Sequence, residues 1–347
     1  MIQEKEKSLI DLIKIVAPGT PLREVIDDLV RSGLGAMIIF DSPELEIQNM
    51  IDGGFRINSR FTPQKLFELC KLDGAIIISS DLKRILSANV LITPDSSIHT
   101  NETGTRHKAS ERAAKQANTI VITVSERRNK TTLYYGPSKY FLKPTEELLR
   151  NLSSTLQILE KQKEILLEHI RNLNILEMSD LVSVRDVCNV IQRSEMIIKI
   201  SEAVKRNFIE LGKDGNIMNM RHRELIRGVE KTEHEILRDY ATLSLKKSKN
   251  LLDNWTFDGL LDLESIARLI LERPIEENIS SKGYRFLSNL NLSSKEISQI
   301  VLKFKKLNKI LSIDSQELEN ILKNRAINIK EEIGNLREQI LSGKVVS

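Results

Sequence analysis

The chain has only two cysteines in 347 residues, Cys70 and Cys188, and they are far apart in the sequence. They predict neither a disulfide framework nor a cysteine metal site, so a reducing compartment is expected. No stretch approaches the ~20 apolar residues that a membrane helix needs. The N-terminus alternates acidic and basic residues where a signal peptide would be apolar. The sequence therefore predicts a cytoplasmic protein that does not enter a membrane.

Aromatic residues are also scarce, at 4% of the chain, which disfavours a protein built mainly from β-sheet. Apolar residues make up 40%, enough for globular folding, and the length predicts more than one domain. The net charge is only +4, but residues 281–347 contain 12 basic and seven acidic side chains. This local excess indicates a polyanion partner such as DNA, although a solvated lysine face explains it equally well.

The residue pattern changes twice along the chain. In residues 1–145, β-type runs alternate with helical patterns, which predicts an α/β domain with a mixed sheet and flanking helices. Residues 146–280 have leucines spaced three or four apart, which predicts an all-α helical spine. Residues 281–347 predict a small domain of short helices. The strands expected in the first domain are 36–40, 76–79, 120–124 and 131–135, and its expected helices are 4–16, 22–32, 63–71 and 109–118.

Asp73 is the first candidate for chemistry, because it precedes Gly74, Ala75 and a run of three isoleucines. A carboxylate at the start of a buried strand can hold a divalent cation or help to activate a hydroxyl. Gly74 would let a base or ribose approach the backbone closely. An Asp-Gly pair before a strand is also typical of an ordinary turn.

The second candidate is the loop before the helix expected at residue 109. Glycine and threonine before a helix leave amides open to anions, and Arg106, His107 and Lys108 add cationic donors. A capped and solvated helix start would explain the same residues. A third candidate, Ser125 with the charged residues that follow it, could equally form a charged turn. The chain lacks the Walker A, Rossmann, HExxH and nucleophile-elbow patterns.

Several short motifs, in order and spacing, resemble the diadenylate cyclase family, and most closely its DNA-scanning members. The matching segments are Ala17–Glu24, Gly53–Phe55, Phe61–Pro63, Asp73–Ala75, Ala88–Val90, Pro94–Asp95, Glu102–His107 and Ser125–Arg127. The family's layout is similar too: a cyclase domain (1–145), a helical spine (146–280) and a helix-hairpin-helix DNA-binding domain (281–347).

The resemblance implies that two ATP molecules condense into cyclic di-AMP with release of two pyrophosphates. Asp73, Arg106 and His107 would be catalytic, with Asp73 holding Mg²⁺ or Mn²⁺. The nucleotide would be bound by Gly74, Ala75, Thr105, Arg106, His107, Lys108 and Ser125. Two cyclase domains would face each other in a homo-oligomer, expected to be an octamer. DNA, with branched DNA as one candidate form, would contact Lys282, Arg285, Lys303, Lys305 and Lys306.

Two segments depart from the family pattern. The family usually has Arg-His-Arg-Thr where this chain has Arg106-His107-Lys108-Ala109, and a lysine cannot replace a forked guanidinium at a phosphate site. The later hairpin of the last domain reads Asn320–Arg325 where glycines are expected. The changed Lys108-Ala109 pair and the basic tail lead to the alternative hypothesis, a DNA-binding scaffold that binds nucleotide but turns it over weakly, and a sensor that only binds cyclic di-AMP is a third.

Overall fold

The structure is a computed structural model that describes residues 12–43 and 50–343. Most of the helix expected at 4–16 lies outside the described residues, but residues 12–15 are helical. The described chain divides into two compact units. The first contains the residues up to Asn151 together with Arg206–Ile217, and the second contains Leu152–Lys205 and the residues from Met218 onward. The three-domain boundaries at 145 and 280 stay predictions.

An eight-stranded mixed sheet, counted over the described residues, forms the centre of the first unit. Its strands are β1 (Ala36–Phe40), β2 (Ile51–Asp52), β3 (Phe55–Arg60), β4 (Ala75–Ile78), β5 (Arg84–Ile92), β6 (Ile120–Ser125), β7 (Lys130–Tyr135) and β8 (Ser138–Leu142). The spatial order is β2-β5-β4-β1-β6-β7-β8, and β3 also pairs with β5. Strands β1 and β4 are parallel, whereas the other pairs are antiparallel.

Helices cover both faces of this sheet. They are α1 (Pro21–Arg31), α2 (Pro63–Leu69) and α3 (Thr105–Ala117). Side chains alternate between faces, so Ile38 joins the core with α1 and α2, whereas Ile39 joins a second core with the alanines of α3. Burial on both faces explains why β1 and β4 read as continuous apolar runs.

In the remaining described residues the regular elements are mainly helices. They are α4 (Thr145–Ser179), α5 (Val184–Leu211), α6 (Asn216–Ile226), α7 (Val229–Tyr240), α8 (Leu245–Asp253), α9 (Phe257–Leu260), α10 (Leu263–Ile266), α11 (Tyr284–Leu287), α12 (Ser294–Phe304), α13 (Leu307–Leu311), α14 (Ser315–Leu322) and α15 (Ala326–Leu341). In α4, Leu148, Leu152, Leu156 and Leu159 are buried, as their spacing predicts. No helix in the described part of the chain is both long and apolar enough to cross a membrane.

The main elements agree with the sequence predictions, with three differences. Strand β1 has the predicted bounds, β6 and β7 are each one residue longer at one end, and β4 is shifted by one residue at both ends. Strands β2, β3, β5 and β8 were not predicted. Helix α3 begins at Thr105 and not near Ala109. The prediction missed its first turn because Thr105 to Lys108 are polar and show no apolar periodicity.

Candidate functional site

One end of the sheet gathers the candidate residues of the first unit. Met37 of β1 pairs with Ala75 of β4, so both parallel strands start at this end. On the other side of β1, Ala36 pairs with Val124 near the end of the antiparallel strand β6. Asp73, before β4, and Ser125, at the end of β6, therefore flank the start of β1. Neighbouring strands lie about 4.8 Å apart, so β4 and β6 are separated by about 10 Å.

The start of α3 is open to an anion. Its N-cap residue is Gly104, whose φ of −84° and ψ of 140° are extended and which offers no side-chain oxygen to the first-turn amides. The first helical bond runs from the Lys108 N–H to the Gly104 carbonyl at 2.9 Å. The earlier amides of the helix have no partner within it, and its dipole adds positive potential at this end.

A cavity of about 500 Å³ lies beside this helix start. It is lined by Glu102, Thr103, Gly104, Thr105, Arg106, His107, Ser125, Glu126, Arg127 and Arg128. The structure thus brings together Thr105, Arg106, His107 and Ser125, as the sequence predicted. Lys108, Asp73, Gly74 and Ala75 are not in this lining. Three arginines and open amides make the cavity suitable for a polyphosphate.

Arg106 lies directly over Gly35, the residue before β1. A Cβ atom at Gly35 would come 2.0 Å from the Arg106 Nη1, so glycine is what leaves room for the guanidinium. The backbone of Arg106 is fixed from the other side, because Ser110 Oγ donates to its carbonyl at 2.8 Å and accepts from Thr123 Oγ1 at 2.6 Å. The sequence analysis did not single out Gly35, because only the fold places it against Arg106.

A polar chain leads from the cavity into the sheet. His107 Nδ1 lies 3.1 Å from the hydroxyl of Tyr134, and this hydroxyl donates to Glu102 Oε1 at 2.9 Å. Glu102 also forms an ion pair with Lys139. Burial acts to raise the pKa of Glu102, but the bonds from Lys139 and Tyr134 outweigh it and hold the pKa below its ordinary value. Burial is also the main reason that the pKa of His107 is lowered.

The backbone conformation and the close packing of β5 require a glycine at position 74. Its φ is +90°, and an added Cβ would lie 2.9 Å from the backbone carbon of Asn89 and 2.9 Å from the Val90 carbonyl oxygen. Gly74 therefore lets β5 pass close to the turn before β4. The expected approach of a nucleotide to Gly74 stays a prediction.

Asp73 is an exposed, single carboxylate. Within residues 12–43 and 50–343, no three His, Cys, Asp or Glu side chains are grouped to hold a metal ion. Mg²⁺ is commonly held by one or two carboxylates together with substrate phosphates. The Asp73 carboxylate is of the type that could hold such a cation, whose other ligands would include phosphate oxygens.

The expected DNA-contacting residues of the last segment have different environments. Lys305 and Lys306 are exposed, and Lys303 is exposed while its ammonium donates to the Glu317 carbonyl at 3.0 Å. Lys282 is half-buried and donates to two backbone carbonyls of α7 and its C-terminus. Arg285 is 2% exposed and is ion-paired with Glu177. The guanidinium of Arg285 is thus not at the surface, because its side chain supports the interior of the second unit.

Besides Gly35, five residues of the site were given no role from the sequence. Arg127 and Arg128 line the cavity, although the pattern after β6 was also typical of a charged turn. Glu102, Tyr134 and Lys139 form the polar chain. Glu102 belongs to the matched motif, which was a usable signal. Tyr134 and Lys139 are paired across β7 and β8 and are distant from Glu102 in the sequence.

Comparisons with known proteins agree with this architecture. Residues 23–138 match the family described as DisA bacterial checkpoint controller nucleotide-binding, and residues 142–274 match its linker region. The DNA integrity scanning protein DisA of Clostridium botulinum (strain Loch Maree / Type A3) is 38% identical over 351 residues, covering 99% of each chain. That of Acetivibrio thermocellus is 39% identical over 327 residues, covering 92% of this chain and 91% of the relative.

A crystal structure of DacA from Staphylococcus aureus is 21% identical, covers 44% of this chain and 97% of that one, and superimposes with a TM-score of 0.31, which is too weak to carry an argument. The family assignment follows from the matched regions and from the relatives of nearly full length. The chain belongs to the DNA integrity scanning protein family and has the diadenylate cyclase domain of that family.

Proposed function

We propose that the chain condenses two ATP molecules into cyclic di-AMP. Each ribose 3′-oxygen would form a bond to the α-phosphorus of the other nucleotide and lose its proton. The bond from that phosphorus to the bridging oxygen of the β-phosphate would break, and two pyrophosphates would leave. One arrangement supports the proposal above all: the anion cavity at the start of α3 and the Asp73 carboxylate lie at the same end of one sheet.

Different residues of the chain would bind the phosphates, hold the metal and stabilise the charge of the transition state. The amides at the start of α3, with Arg106, Arg127 and Arg128, would hold phosphate oxygens and stabilise the charge of the transition state. Asp73 would hold a divalent metal, which supplies positive charge to the phosphates when it is bound. Ser125 lines the same cavity, and its hydroxyl would contact a terminal phosphate. Lys108 lies outside the cavity lining and has a lesser part in this proposal.

The reaction requires two copies of the cyclase domain. One chain provides one such cavity within its described residues, and the product joins two nucleotides symmetrically. Two sheet ends must therefore face each other, each contributing one ATP. We extend the proposal to a symmetric homo-oligomer in the cytoplasm, with an octamer as the expected assembly.

The relatives' name, DNA integrity scanning protein, leads to a second part of the proposal. We infer that the last segment binds DNA through its exposed lysines, Lys303, Lys305 and Lys306. These lysines would contact phosphates and would not read the base sequence. The burial of Arg285 and the backbone bonds of Lys282 leave these two residues out of the contact surface that we propose.

The cyclase proposal is tested with the full-length protein, ATP and either Mg²⁺ or Mn²⁺, and the product is separated by chromatography. The Asp73→Asn variant should make no cyclic di-AMP. The matched control is Asp81→Asn, because Asp81 is also exposed but lies in the β4-β5 connection at the opposite end of β4.

Full synthesis by Asp73→Asn would reject the assigned role of this carboxylate. If the assembled wild-type protein makes no product with either metal, the cyclase proposal fails and the DNA-binding scaffold with weak turnover becomes the better hypothesis. Loss of product in both aspartate variants would mean that the effect is not specific to the proposed metal site.

A further inference from the structure

In the polar chain from His107 to Lys139, the hydrogen-bond partners determine which atoms of Tyr134 and His107 carry a proton. Tyr134 is fully buried, and burial, together with Glu102, raises its pKa far above the ordinary value. Tyr134 therefore stays protonated, with one hydroxyl proton. Glu102 is ionised because its pKa is lowered, so it can only accept hydrogen bonds.

The single proton of Tyr134 is directed to Glu102, at 2.9 Å. The Tyr134 oxygen can then only accept from His107, so the proton of the imidazole is on Nδ1, 3.1 Å away. The other nitrogen, Nε2, lies on the ring edge away from Tyr134. His107 lines the cavity, and within the described part of the chain no residue forms a hydrogen bond with Nε2.

We propose that Tyr134 and Glu102 are positioning residues that hold His107 in its Nδ1–H form, so that Nε2 faces the cavity as a hydrogen-bond acceptor. The inference rests on the proposed nucleotide function. An ionised phosphate oxygen is also only an acceptor, so it cannot pair with this nitrogen. Nε2 is thus available to a hydrogen-bond donor of the bound nucleotide, such as a hydroxyl or the adenine amino group, and the arginines and amides contact its phosphates. This assignment differs from the phosphate-binding role that the motif alone suggested for His107.

The charges around His107 favour its neutral form. Burial lowers its pKa most, Glu102 acts to raise it, and the three cations Lys139, Arg128 and Arg106 lower it further. Glu102 already binds Lys139 and Tyr134, so its charge is shared between these two partners. A neutral imidazole with a fixed tautomer is the form in which one ring nitrogen can accept from a hydroxyl.

The tautomer can be measured without turnover. Protein labelled with ¹⁵N-histidine is examined by NMR at pH 7.5, with and without a non-hydrolysable ATP analogue, and the His107→Gln variant identifies the resonance among the five histidines. The Nδ1–H form is expected both free and bound. An Nε2–H form in the free protein, or an imidazolium in the bound protein, would overturn the proposal.

Tyr134→Phe removes the acceptor for the Nδ1 proton and keeps the ring. The His107 signal should then shift towards a mixture of tautomers. The rate of cyclic di-AMP synthesis at saturating ATP should fall at least about tenfold, while the affinity for the analogue should change less than about threefold. Tyr135→Phe is the control, because Tyr135 is the next residue of β7 and packs against the core on the other face of the sheet.

The two readouts separate this inference from the proposed function. If the wild-type protein makes no cyclic di-AMP, the proposed function fails, whereas the tautomer shift in Tyr134→Phe still tests the positioning chain. If Tyr134→Phe keeps both the tautomer and the rate of the wild type, the positioning role is rejected even though the enzyme is active.

Discussion

Arg285 and Glu177 form an ion pair in which both side chains are 2% exposed. Tyr240 donates to Glu177 Oε1 at 2.6 Å, and Asp239 accepts the backbone N–H groups of Tyr284 and Arg285 at 2.6 and 3.0 Å. Glu177 lies in the last turn of α4 and Arg285 in α11. Within the second unit, the network therefore joins the last helical segment to the long spine helix.

Arg285→Met should strongly destabilise the second unit. Removing one partner of a buried ion pair leaves an uncompensated charge and typically costs about 3–5 kcal/mol. Trp255 is the only tryptophan of the chain and lies in the second unit, so its fluorescence in a urea titration follows this unit. Arg325→Met is the control, because Arg325 lies at the surface and its ion pair with Glu296, which is 22% exposed, should contribute about 1 kcal/mol or less. Equal losses in both variants would contradict the role of the buried network.

A buried carboxyl pair should make the second unit less stable as the pH rises. Burial and the hydrogen bond with Glu195 raise the pKa of Glu233 to about 8, and Lys249 contacts both carboxylates. Between its ordinary pKa of 4.5 and 8, Glu233 keeps a proton in the folded state that the unfolded state has lost, so stability falls with rising pH. The pKa of Glu195 is lowered, so its own contribution changes at more acidic pH.

Glu233→Gln should flatten this pH dependence, and the difference from the wild type isolates Glu233 from other groups. The urea midpoint of Trp255 fluorescence is compared at pH 5 and pH 8. Glu230→Gln, an exposed position on the same helix, should retain the wild-type slope. A Glu233→Gln slope equal to that of the wild type would show that this carboxyl does not keep its proton in the folded state.

The prediction of the fold succeeded where burial repeats regularly and failed where it does not. All five residues of β1 are buried, and its bounds were predicted correctly. Strand β3 is mostly exposed and contains Asn58 at a φ of +46°, while β5 contains Asn89 at a φ of +53° where its register against β4 shifts. Such irregular strands lack both the apolar run and the strict alternation that sequence analysis requires. In the site, the motif identified Arg106 and His107, but Gly35 and Tyr134 reach them only through long-range packing.

Gly74→Ala should destabilise the sheet more than Gly53→Ala. Both glycines have positive φ values, +90° and +62°, but an added Cβ meets backbone atoms at 2.9 Å only at Gly74 and has open space at Gly53. Gly53→Ala should cost about 1–2 kcal/mol of backbone strain, and Gly74→Ala clearly more because β5 must move. Hydrogen exchange of peptides from β4 and β5 measures the local effect. Equal protection in the two variants would show that the close approach is not tight.

DNA binding should depend on salt through the adjacent lysines Lys305 and Lys306. Each phosphate contact contributes about 0.9 to the slope of log affinity against log salt, so Lys305→Gln/Lys306→Gln should reduce the slope by about 2. The control is Lys246→Gln/Lys247→Gln, an exposed adjacent pair in the same unit. Retention of DNA is measured at several salt concentrations. Equal reductions in the two double variants would place the DNA contact outside the proposed surface.

Gly35→Ala should reduce cyclase activity without a large loss of stability. The atom that a new methyl group would meet first is Arg106 Nη1, the mobile end of a long side chain, so the side chain can move while the backbone stays. A guanidinium displaced by about 1 Å should lower synthesis by about 10- to 100-fold. A double-mutant cycle tests the cause, because Gly35→Ala should have no further effect in an Arg106→Ala background. An equal, independent loss in that background would mean that Gly35 acts on the site through residues other than Arg106.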